Sequence, residues 1–594
     1  MPHRLLVLAA LLTAAPAAGQ EIVIRADAPQ HVFEGAGASF GLFLNNYVSA
    51  SPTAQNELVR LIAQELDLST IQEYNGRGDL GLYPGDDPAY FDRRADFVKA
   101  IRAVRPGVEF SLVTNMFPDD LRKDLVLTGR DGVERTYRVL DTDDPDIYDK
   151  LADWYFQLFQ AFDARGVSVE VLNVVNEPDL LVCGQNLRQC RTHHYGYDGD
   201  TRRGVAEIFA QAVPAFKALL ADPSVNTTGM PVPRIMGPST FAPGGSGSAF
   251  QGGAVDYVQY LKTNHADAWD QIDIVSTHQY DNGVRGDLFQ TLRTLAGGKP
   301  LHQSETHGSK QFGPSSLRAN HRTALSLAQL FGASVNFGTS MWSYFQTNYP
   351  NPADPDDADR FNPGGLVSLS PPQIPDPEPL KHYSVFRQLT SAQPDSSSVL
   401  DYTASSGRRA DVVAFRKGDR DSVYVSVTNT SGTPQDVTIS VEDAGGLRVI
   451  ETYSVRTTDA TRDDDETARA TLDANAGAFT YTMGPYSVNT FTVGLGSATV
   501  DAETVPEASV ALLPPAPNPA RGAATIAYRL AAPVEVELAV SDALGRRVRQ
   551  LDSGPRGAGP HRSVLSTAGL APGVYLVTLR AGDAVATRRI TVVR

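Results

Sequence analysis

The chain has 594 residues, 42% of them hydrophobic and 20% charged, which excludes a disordered or low-complexity chain and implies two or three domains. Its net charge is −16, and an acidic body argues against a nucleic-acid partner. The charge is uneven: residues 511–594 carry eleven Arg, no Lys and five acids, a balance of +6 that leaves −22 on the remainder.

Residues 1–19 read as a signal peptide: Arg4 supplies the positive start, 5–15 an apolar core, and Pro16-Ala17-Ala18-Gly19 a small-residue cleavage zone. That core is too short to span a bilayer. No other stretch reads as a span, so a water-soluble exported protein is expected. Residues 21–33 are β-rich and are expected to add a strand to a later sandwich.

From 34 to 393 strands and helices alternate. Strands are predicted near 36–41, 69–74, 109–115, 168–176, 234–239, 271–278, 300–305 and 336–343. The clearest helix is 144–162, with Asp144 as N-cap, Pro145 in the first turn, and Ile147, Leu151, Trp154, Leu158 and Phe162 on one face. Eight βα units over about 350 residues predict a (β/α)₈ barrel. A doubly wound sheet is the competing architecture, but no Gly-rich phosphate loop follows an early strand.

The apolar run 167–175 ends in Asn176-Glu177-Pro178, and Leu301-His302-Gln303-Ser304 leads into Glu305. Both glutamates thus sit at strand C-terminal ends, the face of a barrel where catalysis occurs. Two convergent carboxyl groups suit retaining glycoside hydrolysis: one protonates the leaving oxygen and the other attacks the anomeric carbon. A separation of about 5–5.5 Å is expected, with mutual repulsion raising the pKa of Glu177. Pro178 is expected to hold Glu177 in extended geometry. Glu73 is a further candidate for the same pocket. Cys183 and Cys190 are the only cysteines. Export permits a disulfide between them, with two free thiols as the alternative. A zinc site is disfavoured, because no further ligand lies at suitable spacing.

Residues 394–497 change texture to short β segments with turns and predict an antiparallel sandwich. The acidic runs 354–359 and 463–466 lack the EF-hand pattern and read as solvated loops. Residues 498–515 read as a linker ending in Leu513-Pro514-Pro515.

Two resemblances follow. Pro517-Asn518-Pro519, Ser541-Asp542-Ala543-Leu544-Gly545-Arg546 and Ala571-Pro572-Gly573-Val574-Tyr575-Leu576 resemble the C-terminal sorting domain of the type IX secretion system. That implies an Ig-like sandwich over 516–594, a partnership with the secretion machinery, and a protein secreted or attached to the outer cell surface. The segment 21–497 is similar to clan A glycoside hydrolases and most like glycoside hydrolase family 30. The resemblance is carried by Phe33-Glu34-Gly35-Ala36-Gly37-Ala38-Ser39-Phe40, Val174-Val175-Asn176-Glu177-Pro178-Asp179 and Met483-Gly484-Pro485-Tyr486-Ser487-Val488.

The second resemblance implies Glu177 as acid/base and Glu305 as nucleophile. Asn176 would bond the sugar 2-hydroxyl, His278 and Tyr280 would line the site, and Trp342 would stack under the sugar. The substrate would be a β-linked polysaccharide or oligosaccharide of xylan or β-glucan type. No cofactor or metal is needed, and a monomer is expected. Two departures stand out. Gln72-Glu73-Tyr74-Asn75 ends the second strand where the family usually offers an Arg, and Thr114-Asn115-Met116-Phe117-Pro118 ends the third without the expected Trp. Rival readings are another clan A family, or a glycan-binding protein on an inactive barrel. The presence of both glutamates disfavours the latter.

Overall fold

The computed structural model describes residues 19–593 except 41–43, 75–88, 115–116, 129–133, 180, 183–188, 195–200, 245–251, 281–285, 307–320, 346–347, 350–364, 369–376, 392–395, 406–408, 417–420, 445, 475, 500–509, 513–514, 516–517, 531, 543–544 and 583. The signal-peptide residues before 19, Cys183 and the acidic run 354–359 therefore lie outside the described residues. The disulfide stands as an expectation. The chain divides into two compact units, 1–497 and 498–594.

Eight parallel strands close a barrel in the first unit. In chain order they are Gly35–Ser39, Thr70–Tyr74, Glu109–Val113, Val171–Asn173, Arg234–Thr240, Ile274–His278, Leu301–Glu305 and Met341–Phe345. Side chains alternate across this wall, as strand geometry requires. Ile71, Phe110, Leu112, Leu172, Ile235, Val275, Leu301, Trp342 and Tyr344 join the large apolar core between strands and helices. Thr70, Gln72, Ser111, Val171, Met236, His302, Ser304, Met341 and Ser343 point inward around a small interior cavity. Gly37 permits the first strand to approach both neighbours, since a Cβ there would meet Ser343 Oγ and Thr70 Cγ2.

The helix predicted at 144–162 is Ile147–Asp163. Ile147, Leu151, Leu158 and Phe162 are buried. The N-cap position is Asp146 rather than Asp144, and Pro145 precedes the first turn; Asp144 Oδ1 accepts the Asp146 N–H at 3.0 Å. One outcome differs from the expectation about membrane spans. Thr201–Ala221 is long and apolar enough to cross a membrane by length and composition. In the fold it is the layer between the fourth and fifth strands, with Val205, Ile208, Phe209, Val213 and Phe216 fully buried in the barrel core.

The N-terminal strand Gln20–Phe33 lies in a nine-stranded sheet with the segments after 396. It runs antiparallel to Ser397–Ala404 and parallel to Gln435–Asp443. Ile22, Ile24, Val425, Val427, Val437, Ile439, Phe491 and Val493 fill the sandwich core. Phe33 joins the sandwich to the barrel, its ring 5.9 Å from Phe331 and 5.7 Å from Phe415. The run 463–466 is not a solvated loop. Asp463–Thr471 is a strand, and Asp464 is buried against Arg387 and Arg456. Burial raises Asp464 to about 6 despite those two guanidiniums.

The second unit contains one sheet of Val510–Leu512, Ala523–Leu530 and Gly559–Ser566, and another of Arg547–Arg556, Val534–Ser541, Gly573–Ala581 and Ala584–Val592. Leu512, Ile526, Leu538, Val577, Leu579 and Ile590 close its core. The linker expected at 498–515 is thus shorter, because Val510–Leu512 pairs with Ala523–Leu530.

Candidate active site

Glu177 and Glu305 meet at the C-terminal mouth of the barrel. The fourth-strand ladder continues beyond Asn173, and the Glu177 N–H donates to Ser239 O at 2.8 Å. The regular strand ends at Asn173, so the carboxyl of Glu177 is placed by this bond and by His278 rather than by strand alternation. Glu177 does not keep the extended geometry expected before Pro178: its φ is 47°, as is that of Ser239. Left-handed backbone at a non-glycine residue costs about 1–3 kcal/mol and persists where surrounding bonds impose it.

Glu305 arrives by a different device. Opposite Thr277 and His278, the seventh strand presents Gln303 and then Glu305, so Ser304 is an extra residue in the register. The bulge re-aims the next side chain, and Glu305 ends up beside His278. His278 Nδ1 lies 2.9 Å from Glu177 Oε1 and 3.4 Å from Glu305 Oε2. One oxygen of each glutamate and a ring nitrogen of His278 fall within 4.8 Å of one another. One pair of carboxyl oxygens is thus no more than 4.8 Å apart, closer than the separation of about 5–5.5 Å expected between the two groups.

Each Glu305 oxygen accepts a tyrosine hydroxyl: Oε1 from Tyr74 and Oε2 from Tyr280. Gln72 Nε2 donates to the Tyr74 hydroxyl at 3.0 Å. Burial pushes Glu305 up to about 7, opposed by His278 and the two hydroxyls and assisted by the charge of Glu177. Desolvation is the main cause of the rise at Glu305, and repulsion from Glu177 adds to it. Burial lowers His278 below its ordinary value, against the pull of Glu305, and favours the neutral ring. Among the described residues, Glu177, His278 and Glu305 form the one group of acidic and His side chains with metal-ligand spacing. Both Glu305 oxygens are already engaged by hydroxyls, which suits hydrogen bonding better than ion capture.

Asn176 is buried beside Glu177, and Tyr280 is buried against Glu305. Trp342 does not join them. It is fully buried, stacked on Phe386 at 5.5 Å and 20°, with Phe331 4.9 Å away. The eighth strand begins at Met341, not near 336, so Trp342 lies near its start and faces the helices. The eighth-strand aromatic at the site is Phe345, 5.7 Å from the Tyr74 ring and 6.2 Å from Tyr280. Glu73 also points outward, its Oε2 3.5 Å from Arg94 Nε inside the strand–helix layer. Tyr74 and Gln72, which the sequence reading assigned no role, are on the inward parity of that same strand. Alternation counted from buried Ile71 would have revealed them.

Residues 516–593 match the family model described as a secretion system C-terminal sorting domain. The C-terminal unit is a sorting domain. It marks the chain for type IX secretion, with attachment to the cell surface or release. No curated protein matches the chain. Among solved structures, the chain is similar to a GH30 endoxylanase from Clostridium papyrosolvens C71, with 15% identity, a TM-score of 0.56, and coverage of 80% of this chain and 100% of that one. It is similar to a glycoside hydrolase family 30 subfamily 8 xylanase from Clostridium acetobutylicum at 16% identity and TM-score 0.54, covering 80% and 99%. It is also similar to an endo-beta1,6-glucanase at 13% identity and TM-score 0.53, covering 80% and 94%. At these identities the likeness shows the fold: a barrel with an attached β-sandwich, as in GH30 structures.

Proposed function

We propose that this protein is an exported retaining glycoside hydrolase acting on a β-linked polysaccharide or oligosaccharide of xylan or β-glucan type. The observation that carries the reading is the close approach of Glu177 and Glu305 across His278 at the barrel mouth. A short spacing leaves room for direct attack rather than an intervening water. Glu177, the more exposed carboxyl at 14% against 3%, faces the leaving group as acid and then base. Glu305, steadied by two hydroxyls, is the nucleophile.

In the resting site burial favours the protonated form of Glu305. Positive charge developing at the anomeric carbon stabilises ionised Glu305, so the proton belongs on Glu177 when the bond breaks. The choice of test glycans is guided by the fold neighbours, which include xylanases and an endo-beta1,6-glucanase. The test is sugar release from a panel of xylans and β-glucans, with NMR of the first-formed anomer. Release with retained configuration, lost by about 10³-fold or more in Glu177→Gln and Glu305→Gln, is expected. Wild-type turnover in either variant, or an inverted first product, overturns the reading.

A further inference from the structure

Asp179 lies two residues beyond Glu177 and has no part in the two-carboxylate chemistry. It is fully buried. Its Oδ1 accepts the Phe241 backbone N–H at 2.7 Å, while its Oδ2 has no hydrogen-bond partner. Burial, and then the charge of Glu177, push it up to about 8 against the backbone donors around it. Burial thus disfavours the charged form of Asp179, and the backbone N–H of Phe241 holds its side chain in place.

The connection made by this side chain runs toward both glutamates. Upstream, the turn that carries Glu177 is tied once to the fifth strand by Glu177 N–H and Ser239 O at 2.8 Å. Asp179 ties it a second time, just past that strand, at Phe241. Downstream, the Phe241 ring lies 5.5 Å from the Tyr280 ring at 33°. Tyr280 in turn donates its hydroxyl to Glu305 Oε2. A second fastening is needed because Glu177 and Ser239 both hold left-handed φ values of 47°, which relax unless the surroundings enforce them.

We infer that Asp179 is a positioning residue that clamps the Glu177 turn to Phe241 and, through the Phe241 ring, seats Tyr280 against Glu305. The inference rests on the glycosidase reading above. It makes the spacing between the two glutamates the property of one continuous chain: Glu177 turn, Asp179, Phe241, Tyr280, Glu305. A residue in such a chain is read in turnover rather than in binding, because misplacement by about 1 Å costs on the order of 10² in rate.

The experiment uses the full chain and the most rapidly cleaved glycan from the panel. Asp179→Ala removes the Oδ1 acceptor and is expected to lower kcat by about 10²-fold with KM within about threefold. Asp179→Asn keeps a neutral acceptor and is expected to stay within about threefold of wild type. Phe241→Ala leaves the backbone N–H in place but removes the ring, and is expected to lower kcat by about tenfold. Unchanged kcat in Asp179→Ala overturns the inference, as does an Asn variant that folds yet falls as far as Ala. Where Asp179→Ala does not fold, Phe241→Ala decides: a wild-type kcat there overturns the chain. Wild-type protein that releases no sugar from any glycan sinks the glycosidase reading and this inference together. Active wild type with indifferent variants sinks this inference alone.

Discussion

Tyr74 reaches from the second barrel strand to donate its hydroxyl to Glu305 at the end of the seventh. Its own oxygen accepts from Gln72, and its backbone carbonyl accepts from the Tyr90 hydroxyl at 2.9 Å. Glu305, the proposed nucleophile, is therefore steadied from this strand by a neutral phenol, where the family resemblance implies a guanidinium. A phenol fixes direction but contributes no full positive charge, so it opposes the effect of burial on Glu305 only in part.

Tyr74→Phe removes one of the two hydroxyls on Glu305. A lost donor to a reacting oxyanion costs about 10²–10³ in rate, so kcat is expected to fall by about 10²-fold with KM nearly constant. The lost hydrogen bond favoured ionised Glu305, so the alkaline limb of the kcat profile, where the pair loses its last proton, is expected to move to higher pH. An unmoved limb with unchanged kcat would show that the contact is idle.

The carboxyl pair needs one proton for turnover. With Glu305 held up to about 7, activity is expected to be bell-shaped, falling on the acid side when the pair holds two protons and above about pH 7 when it loses the last. A kcat/KM profile that is still rising at pH 9 would contradict this.

Stability should follow the same groups with a definite sign. Glu305 and Glu73 are raised to about 7 and Asp179 to about 8, each chiefly by burial. The folded chain therefore keeps protons that the unfolded chain releases between about pH 4 and 8. Their contribution is complete below about pH 4 and is lost as pH rises through 7–8, so the thermal midpoint is expected to be higher at pH 5.5 than at pH 8. Glu305→Gln removes one such liability. It is expected to gain on the order of 3 kcal/mol over wild type at pH 8 and almost nothing at pH 4.5, read by denaturant unfolding at both pH values.

Arg94 and Glu73 form an ion pair with 2% and 0% side-chain exposure. Arg94→Met leaves a buried carboxyl without its cation. A loss of about 3 kcal/mol is expected at pH 8, and a smaller one at pH 5.5, where Glu73 is already protonated. Glu73→Gln added to Arg94→Met is expected to restore much of the loss.

Trp342 and Phe345 provide a paired comparison on one strand. Trp342→Ala empties a fully buried site and is expected to cost about 3–5 kcal/mol of stability. Phe345→Ala should leave stability nearly unchanged and lower kcat/KM, because its ring borders Tyr74 and Tyr280. Urea unfolding and steady-state kinetics on the same two variants distinguish core from cleft.

Much of the barrel was legible because strand and helix periods alternate so regularly from Gly35 to Phe345. The two glutamates were legible because each ends an apolar or β-rich run. What escaped was parity. A strand start misplaced by five residues moves Trp342 from the wall's interior mouth to its outer layer. The extra residue at Ser304 swings Glu305 toward His278, and no single-chain pattern signals a bulge there. Glu177 departs from the geometry that Pro178 favours because the bond to Ser239 belongs to another strand. Local rules describe a residue's own backbone preferences, and here a neighbouring strand outweighs them.

The placement of Gln20–Phe33 bears on how such a protein is made. Ile22 lies opposite Ile439 in a parallel pairing, so this strand waits for a partner made long afterwards. The first unit cannot finish its sandwich until nearly all of it has been synthesised, and the sorting unit follows soon after. A recombinant version cut at the barrel's edges would strand Phe33 and its aromatic neighbours in water, so the shortest stable piece should run from Gln20 through the last sandwich strand.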